Sequence, residues 1–238
     1  MSKKFDGQLA LVTGASRGIG AATALALAKE GAHVVLTARD AKALEEVEEQ
    51  IHEAGGAATI APLDLAEANS IGLLAHSIGE RWGKLDMLVI NAAYLPMLSP
   101  VNDIDQKDFG KAITLNILAT QALIAHFDGL LKKADDGRVV GLTSSVGAAP
   151  RAYWSAYGST KAAMDNLLES YAQETAKLSR PVRVAIVDPG RTRTRMRAKA
   201  YPGEDPKTLK APEVVADELV ALLSSGFQTG TRIAVNPD

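Results

Sequence analysis

Apolar residues in this chain fall into short unbroken runs, separated by stretches where they recur every third or fourth position. Leu9-Ala10-Leu11-Val12-Thr13 is one such run, closed by Gly14, and it reads as a strand buried on both faces. An Ala-rich helix from Gly18 to Glu30 follows and stops at Gly31. A second buried strand spans His33 to Ala38, and Leu44, Val47 and Ile51 then mark a helix ended by Gly55-Gly56. A strand from Ala57 to Leu63 precedes a helix with Ile71, Leu74, Ala75, Ile78 and Trp82 on one face. Leu85 to Ile90 is the fourth strand, and a loop with Pro96 and Pro100 leads to one long helix from Asp105 to Leu131. Strand Arg138–Thr143, helix Ser155–Leu178, strand Val182–Val187, helix Pro212–Ser224 and strand Thr231–Val235 complete the series.

Strict alternation of strand and helix predicts a parallel sheet covered on both faces. No proline-rich or charged linker divides the 238 residues, and no internal repeat is visible. The pattern predicts a single doubly wound α/β domain of about seven strands, Rossmann-like in layout. With 47% apolar and 23% charged residues and a formal charge of −2, the composition suits an ordinary core and gives no sign of a nucleic-acid partner. There are no cysteines, which removes disulfides and thiol chemistry. None of the four histidines is spaced like a metal-ligand pair, so no metal site is expected. The run Leu9–Val12 is too short for a signal-peptide core and no stretch is long enough to span a bilayer, so the expected location is cytoplasmic.

Candidate chemistry begins between the first strand and helix. Thr13-Gly14-Ala15-Ser16-Arg17-Gly18-Ile19-Gly20 places glycines where a tight turn lets the backbone approach a pyrophosphate at a helix N-terminus. The spacing is G-x-x-x-G-x-G, and no Gly-Lys-Ser/Thr of a nucleotidase loop follows. At the end of the second strand, Arg39 with Arg17 would suit a ribose 2′-phosphate, which predicts NADP over NAD. Asp40 is the complication, since it can neutralise Arg39 or take a 2′-hydroxyl itself.

Tyr157 and Lys161 are four residues apart and share a face if the segment is helical. A phenol ordinarily titrates near 10, and lowering it by about three units takes roughly 4 kcal/mol. A cation about 4 Å away supplies that much at an effective dielectric near 20. The pair would then act as a general acid/base near neutral pH. The bland alternative is a packed Tyr beside a solvated Lys. Ser144 lies thirteen residues before Tyr157 at the end of the fifth strand, where ligands bind in such sheets.

Together these residues resemble the short-chain dehydrogenases/reductases over essentially the whole chain. The resemblance implies a catalytic set of Asn116, Ser144, Tyr157 and Lys161. It implies cofactor contacts from Gly14, Ser16, Arg17, Gly18, Ile19 and Gly20, from Arg39, and from Asp64 and Leu65 at the adenine edge. Asn91 and Ala92 after the fourth strand, Tyr157 and Lys161 on the nicotinamide ribose, and Pro189, Gly190, Thr192 and Thr194 beside the nicotinamide complete that implied set. Two departures stand out: the family's Asn-Asn-Ala-Gly is here Ile90-Asn91-Ala92-Ala93, which threatens to crowd the backbone, and Ser145 directly follows Ser144.

The implied reaction is hydride transfer between NADP(H) and a carbonyl or secondary alcohol. Tyr157 would be the proton donor, Ser144 would polarise the carbonyl, and Asn116 would hold a water that links Lys161 to solvent. A 3-oxoacyl-type ketone is one substrate candidate. A cofactor-binding redox sensor and an epimerase or dehydratase relative are the alternatives. The resemblance also implies a homotetramer or homodimer built on helices 105–131 and 155–178. Residues 191–211 form the expected substrate- and cofactor-capping loop. Five cations fall between Arg191 and Lys199, either to meet an anionic substrate or to be balanced by Glu204 and Asp205.

Overall fold

The computed structural model describes residues 3–235. Seven strands form one parallel sheet: β1 (Leu9–Thr13), β2 (His33–Ala38), β3 (Ala57–Pro62), β4 (Met87–Ile90), β5 (Arg138–Leu142), β6 (Arg183–Asp188) and β7 (Thr231–Ala234). Their order is β3-β2-β1-β4-β5-β6-β7. The chain thus winds outward from β1 to β3, then crosses back to lay β4 on the other side of β1. That reversal opens a crevice at the carboxyl ends of β1 and β4, the place where open α/β sheets bind ligands.

The unbroken apolar runs follow from two cores, one on each face of the sheet. Ala10 and Val12 of β1 face one core with Val34, Leu36, Met87 and Val89. That core is covered by α1 (Gly18–Lys29), α2 (Ala41–Glu53) and α9 (Pro212–Ser224). Leu9 and Leu11 face the other with Val35, Leu88 and Ile90, under α3 (Ser70–Trp82), α5 (Ala119–Lys133) and α7 (Ser155–Thr175). Side chains alternate across a strand, so a sheet covered on both sides needs apolar residues at every position.

Three local differences from the sequence expectation matter. β4 starts at Met87, not Leu85, because the buried Asp86 carboxylate accepts from the Leu9 amide (2.8 Å) and from Lys84 Nζ (2.9 Å). The long helix expected from 105 to 131 is instead α4 (Gln106–Ile113), a π turn over Thr114–Leu118, and α5. Within that turn the Ala119 amide bonds the Thr114 carbonyl, five residues back, and the single buried residue is Asn116. A short helix, α6 (Ser145–Ala148), stands between β5 and α7, and another, α8 (Arg195–Ala200), follows β6. Among the described residues no helix is long and apolar enough to cross a membrane.

Candidate active site

The glycine loop is built by close backbone approach. Gly14 has φ +65°, and a β-carbon there would lie 2.9 Å from Asn91 Nδ2. A β-carbon on Gly20 would lie 2.2 Å from the Gly14 carbonyl oxygen, so any side chain would wedge α1 away from the loop. Thr13 ties this loop to β4: its hydroxyl donates to the Val89 carbonyl (3.2 Å) and accepts from the Asn91 and Ala92 amides (3.0 and 3.1 Å). Asn91 answers with Nδ2, which donates to the Thr13 and Gly14 carbonyls at 2.8 and 3.2 Å. Asn91 and Ala92 therefore shape the loop from behind. The N-terminus of α1 has no side-chain cap, which leaves first-turn N–H groups for an anion. A pyrophosphate fits such a cradle. The residue that replaces glycine, Ala93, does not need a left-handed backbone, since its φ is not positive.

Beyond β2 the two arginines are paired differently from the expectation. Arg17 contacts Asp40 at 3.0 Å, and Asp40 also caps α2 by accepting from Ala43. Arg39 lies 3.7 Å from Asp64, whose carboxylate also accepts from the Ala66 amide. Asp40 thus neutralises Arg17, and Arg39 faces Asp64 instead. Both arginines are well exposed, and such ion pairs contribute little. Ser16 in the loop and Ile19 in the first turn of α1 are half-buried, while Leu65 packs into the core under α3.

On α7, Tyr157 and Lys161 share one buried face, 6% and 2% exposed. Glycines bring α6 against this helix: a β-carbon at Gly158 would lie 2.7 Å from the Val146 carbonyl oxygen, and one at Gly147 3.0 Å from Lys161 Cβ. Ser144 is the extended residue that begins α6, half-buried, whereas Ser145 is exposed in its first turn. The Ser144 hydroxyl makes no cap bond, and the close α6–α7 contact sets it near Tyr157's helix.

Lys161 Nζ donates to the Leu142 carbonyl at 2.7 Å and stands 5.8 Å from the centre of the Tyr157 ring. Burial pulls its pKa from 10.5 to about 8, against the opposing pull of Asp165 and Asp188. Keeping the amine protonated there costs about 3 kcal/mol at neutral pH. The lowered value means the cost is in full force below pH 8 and fades as pH rises toward 10.5. The expected lowering of the phenol does not occur in the free chain. Burial pushes Tyr157 upward, and the Asp188 carboxylate adds to the rise. Burial outweighs the nearby amine, whose Nζ stands nearly 6 Å from the ring centre. Tyr157 is thus held as the neutral acid, a proton donor beside a cation.

Asn116 does not reach Lys161. Its Oδ1 accepts from the Tyr94 amide (2.8 Å), and its Nδ2 donates to the Tyr94 carbonyl and to Thr160 Oγ1, both at 2.9 Å. Thr160 in turn donates to the Tyr157 carbonyl at 2.7 Å. With both donors committed, the side chain clamps the loop after β4 to α7. Thr160 was legible only as a polar residue adjoining Lys161; its burial reveals the clamp.

After β6, Gly190 adopts φ +61° and its amide donates to Asp188 Oδ1 at 2.9 Å. The Thr192 hydroxyl bonds back to the Pro189 carbonyl at 3.0 Å, and Thr194 caps α8 by accepting from Arg197 (3.1 Å). Thr194 also lies against Gly18, where a β-carbon would be 3.5 Å from its Cγ2, so this segment adjoins the glycine loop. Glu204 holds Arg197 through two contacts of 2.6 Å and Arg191 at 3.2 Å, and Lys199 Nζ donates to the Leu95 carbonyl at 2.7 Å. Of the five cations, only Arg195, Arg197 and Lys199 are helical, because α8 begins at Arg195. Among the described residues the Arg193 and Arg195 side chains have no partner.

Residues 8–205 match the family described as short chain dehydrogenase. The oxidoreductase YciK of Escherichia coli K12 is 35% identical over 87% of this chain and 82% of its own length. A cis-4-hydroxycyclohexanecarboxylate dehydrogenase from Sinomonas cyclohexanicum is 30% identical over 99% of this chain and 98% of its own. A short chain dehydrogenase from Shigella flexneri 2a str. 301, crystallised with NADP, superposes with a TM-score of 0.94 at 32% identity, over the whole of both chains. With its parallel seven-stranded sheet, its glycine loop at the switch point and its buried Tyr157–Lys161 pair, the chain belongs to the short-chain dehydrogenase/reductase family of oxidoreductases.

Proposed function

We propose that this oxidoreductase uses NADP(H) to reduce a ketone, or to oxidise the corresponding secondary alcohol, with Tyr157 as the general acid/base. The observation that carries the reading is the buried Tyr157–Lys161 pair on α7, with Lys161 bonded to Leu142 at the carboxyl end of β5. The nicotinamide, when bound, supplies or accepts the hydride. Tyr157 Oη gives the proton to the substrate oxygen, Lys161 steadies the charge left on the phenol and holds the cofactor ribose, and Ser144 orients the carbonyl. The backbone of Gly14, Gly18 and Gly20 would hold the pyrophosphate, with Pro189, Gly190, Thr192 and Thr194 on the nicotinamide side. A redox sensor has no use for a buried lysine that destabilises the fold, so the site does not favour that reading. NADPH absorbance followed against a panel of ketones and nucleotide sugars tests the assignment. Turnover confined to ketones is expected, and turnover of nucleotide sugars alone would reject it.

Arg17 and Arg39 support NADP, because a 2′-phosphate dianion competes easily with the exposed ion pairs they now make. The Shigella flexneri relative was crystallised with NADP. A charge-assisted contact to phosphate is worth about 1.5–3 kcal/mol. Arg39→Ala should narrow the NADPH/NADH ratio of kcat/KM by about one to two decades. A wild-type preference for NADH would reject the roles of both arginines.

The substrate side is apolar around Leu95, Val146 and Tyr157, with Leu98, Trp154 and Ala200 packed against them. The unpartnered Arg193 and Arg195 lie at the edge of the segment 191–211, which we take as the cap. An apolar ketone with an acidic end, cyclic or 3-oxoacyl, suits that combination, and the Sinomonas cyclohexanicum relative is named for a carboxylated ring. Arg195→Ala should raise KM for a carboxylated cyclic ketone about tenfold and flatten its ionic-strength dependence, because steering by exposed charge fades as the Debye length shrinks. An unchanged salt profile would return Arg195 to plain solvation. Arg197 is unsuited to this role, being committed to Glu204.

The α4–α5 and α7 faces are proposed as the interface of a homotetramer or homodimer, where Leu118 is 57% exposed. Sedimentation at micromolar concentration should show a species well above the 25.0 kDa monomer, and a lone monomer would reject it.

A further inference from the structure

The chain contains no cysteine, so its softest oxidisable groups are thioethers. Met87 and Met164 are buried to about 1% or less, and Met97 is exposed in the loop after β4. Met196 on α8 is different. It is 36% exposed, and its sulfur stands 3.9 Å from Tyr157 Oη. Among the described residues that sulfur is the only partner of the phenol hydroxyl. A thioether is a weak acceptor, so a substrate carbonyl can displace it.

The sulfur is also held in place. Lys199 anchors α8 to the Leu95 carbonyl, Glu204 fixes Arg197, and Tyr201 just beyond α8 stacks on Trp154 at 5.7 Å while its hydroxyl accepts from Arg151 at 3.1 Å. Trp154 in turn meets the edge of Tyr157 at 6.1 Å. These contacts hold α8, and with it Met196, against Tyr157.

We propose that Met196 is a reversible oxidation site whose sulfoxide closes the active site. A sulfur lone pair attacks one oxygen of a peroxide. The S–O bond forms as the O–O bond breaks; sulfur is oxidised by two electrons, and the peroxide leaves as water or an alcohol. Two thiols of a methionine sulfoxide reductase system reverse the step, returning the thioether and water and becoming a disulfide. The sulfoxide oxygen is a strong acceptor, much like the carbonyl oxygen of a ketone. It lies one bond nearer the phenol than the sulfur does, which brings it toward the ordinary O–H···O range of about 2.5–3.0 Å. Tyr157 then donates to the chain's own sulfoxide, and α8 is pinned over the crevice. The inhibitory effect rests on Tyr157 being the proton donor; the pinning of α8 does not.

The test treats the full chain with hydrogen peroxide, removes the excess with catalase, and follows ketone reduction, the mass of each methionine peptide, and tryptic cleavage within residues 191–199. Activity should fall about tenfold as Met196 becomes sulfoxide, and recover with a methionine sulfoxide reductase and thiol. Met97→Leu should lose the same fraction of its own starting activity, and Met196→Leu should keep most of its own. Tryptic cleavage should slow on oxidation in the wild-type chain but not in Tyr157→Phe, a readout that needs no turnover. An active Tyr157→Phe with this cleavage difference intact would reject the catalytic reading and keep the latch. Full Met196 oxidation with activity and cleavage unchanged, or equal sensitivity of Met196→Leu, would overturn the proposal.

Discussion

Tyr157→Phe is expected to lower kcat for ketone reduction about a thousandfold, within the range for losing a positioned general acid, while NADPH binding stays nearly unchanged. The substitution removes one oxygen from a ring packed with Leu95, Val146 and Trp154, so the fold loses almost nothing. Among the described residues the hydroxyl's only protein partner is the weak Met196 contact. Loss of turnover without loss of cofactor binding is therefore the signature of a missing proton donor. Single-turnover kinetics with a fluorescence titration of NADPH separates the two effects. Turnover equal to wild type would remove Tyr157 from the chemistry.

Lys161 gives the second large effect, because it serves both proton transfer and cofactor binding in the proposed mechanism. Lys161→Ala should cut kcat/KM by two to three decades, about the scale of a lost acid/base contribution, and weaken NADPH binding as well. Its pH signature is distinct. In the free chain burial lowers the amine to about 8, so its proton is lost as pH rises through that region. The kcat/KM for reduction, which reports the free enzyme, should be level below about 8 and fall as pH rises through that value. Oxidation of the alcohol needs Tyr157 without its proton, and burial holds that proton on, so the oxidation rate should still be climbing with pH where reduction declines. A Lys161→Ala profile that keeps the break near 8 would assign it to another group.

The π turn at Asn116 shows how a single buried amide can redirect a helix. Residues 105–131 carry a helical apolar pattern throughout, and Asn116 is an unfavourable core residue in any continuous reading of it. The break places that amide between Tyr94 and Thr160, three segments that are distant in the chain. The partners of a buried polar group come from outside its own helix, so no window on residues 105–131 could reveal them.

What the sequence determined by itself is the part set by local pattern. Runs such as Leu9–Val12 and Val34–Leu36 must lie between two apolar layers, Gly14, Gly18 and Gly20 permit only a tight loop, and Tyr157 with Lys161 must share a helical face. These fix the doubly wound sheet, the position of its crevice and the shared face of Tyr157 and Lys161. Tertiary structure alone decided how each charge is balanced. Asp40 went to Arg17 and Asp64 to Arg39; Glu204 took both Arg191 and Arg197. It also set the phenol's titration upward instead of downward, because desolvation depends on everything packed around Tyr157 and not on the neighbour four residues along. Periodicity records which side of an element is dry. Pairing and protonation depend on distances between elements, which no local pattern encodes.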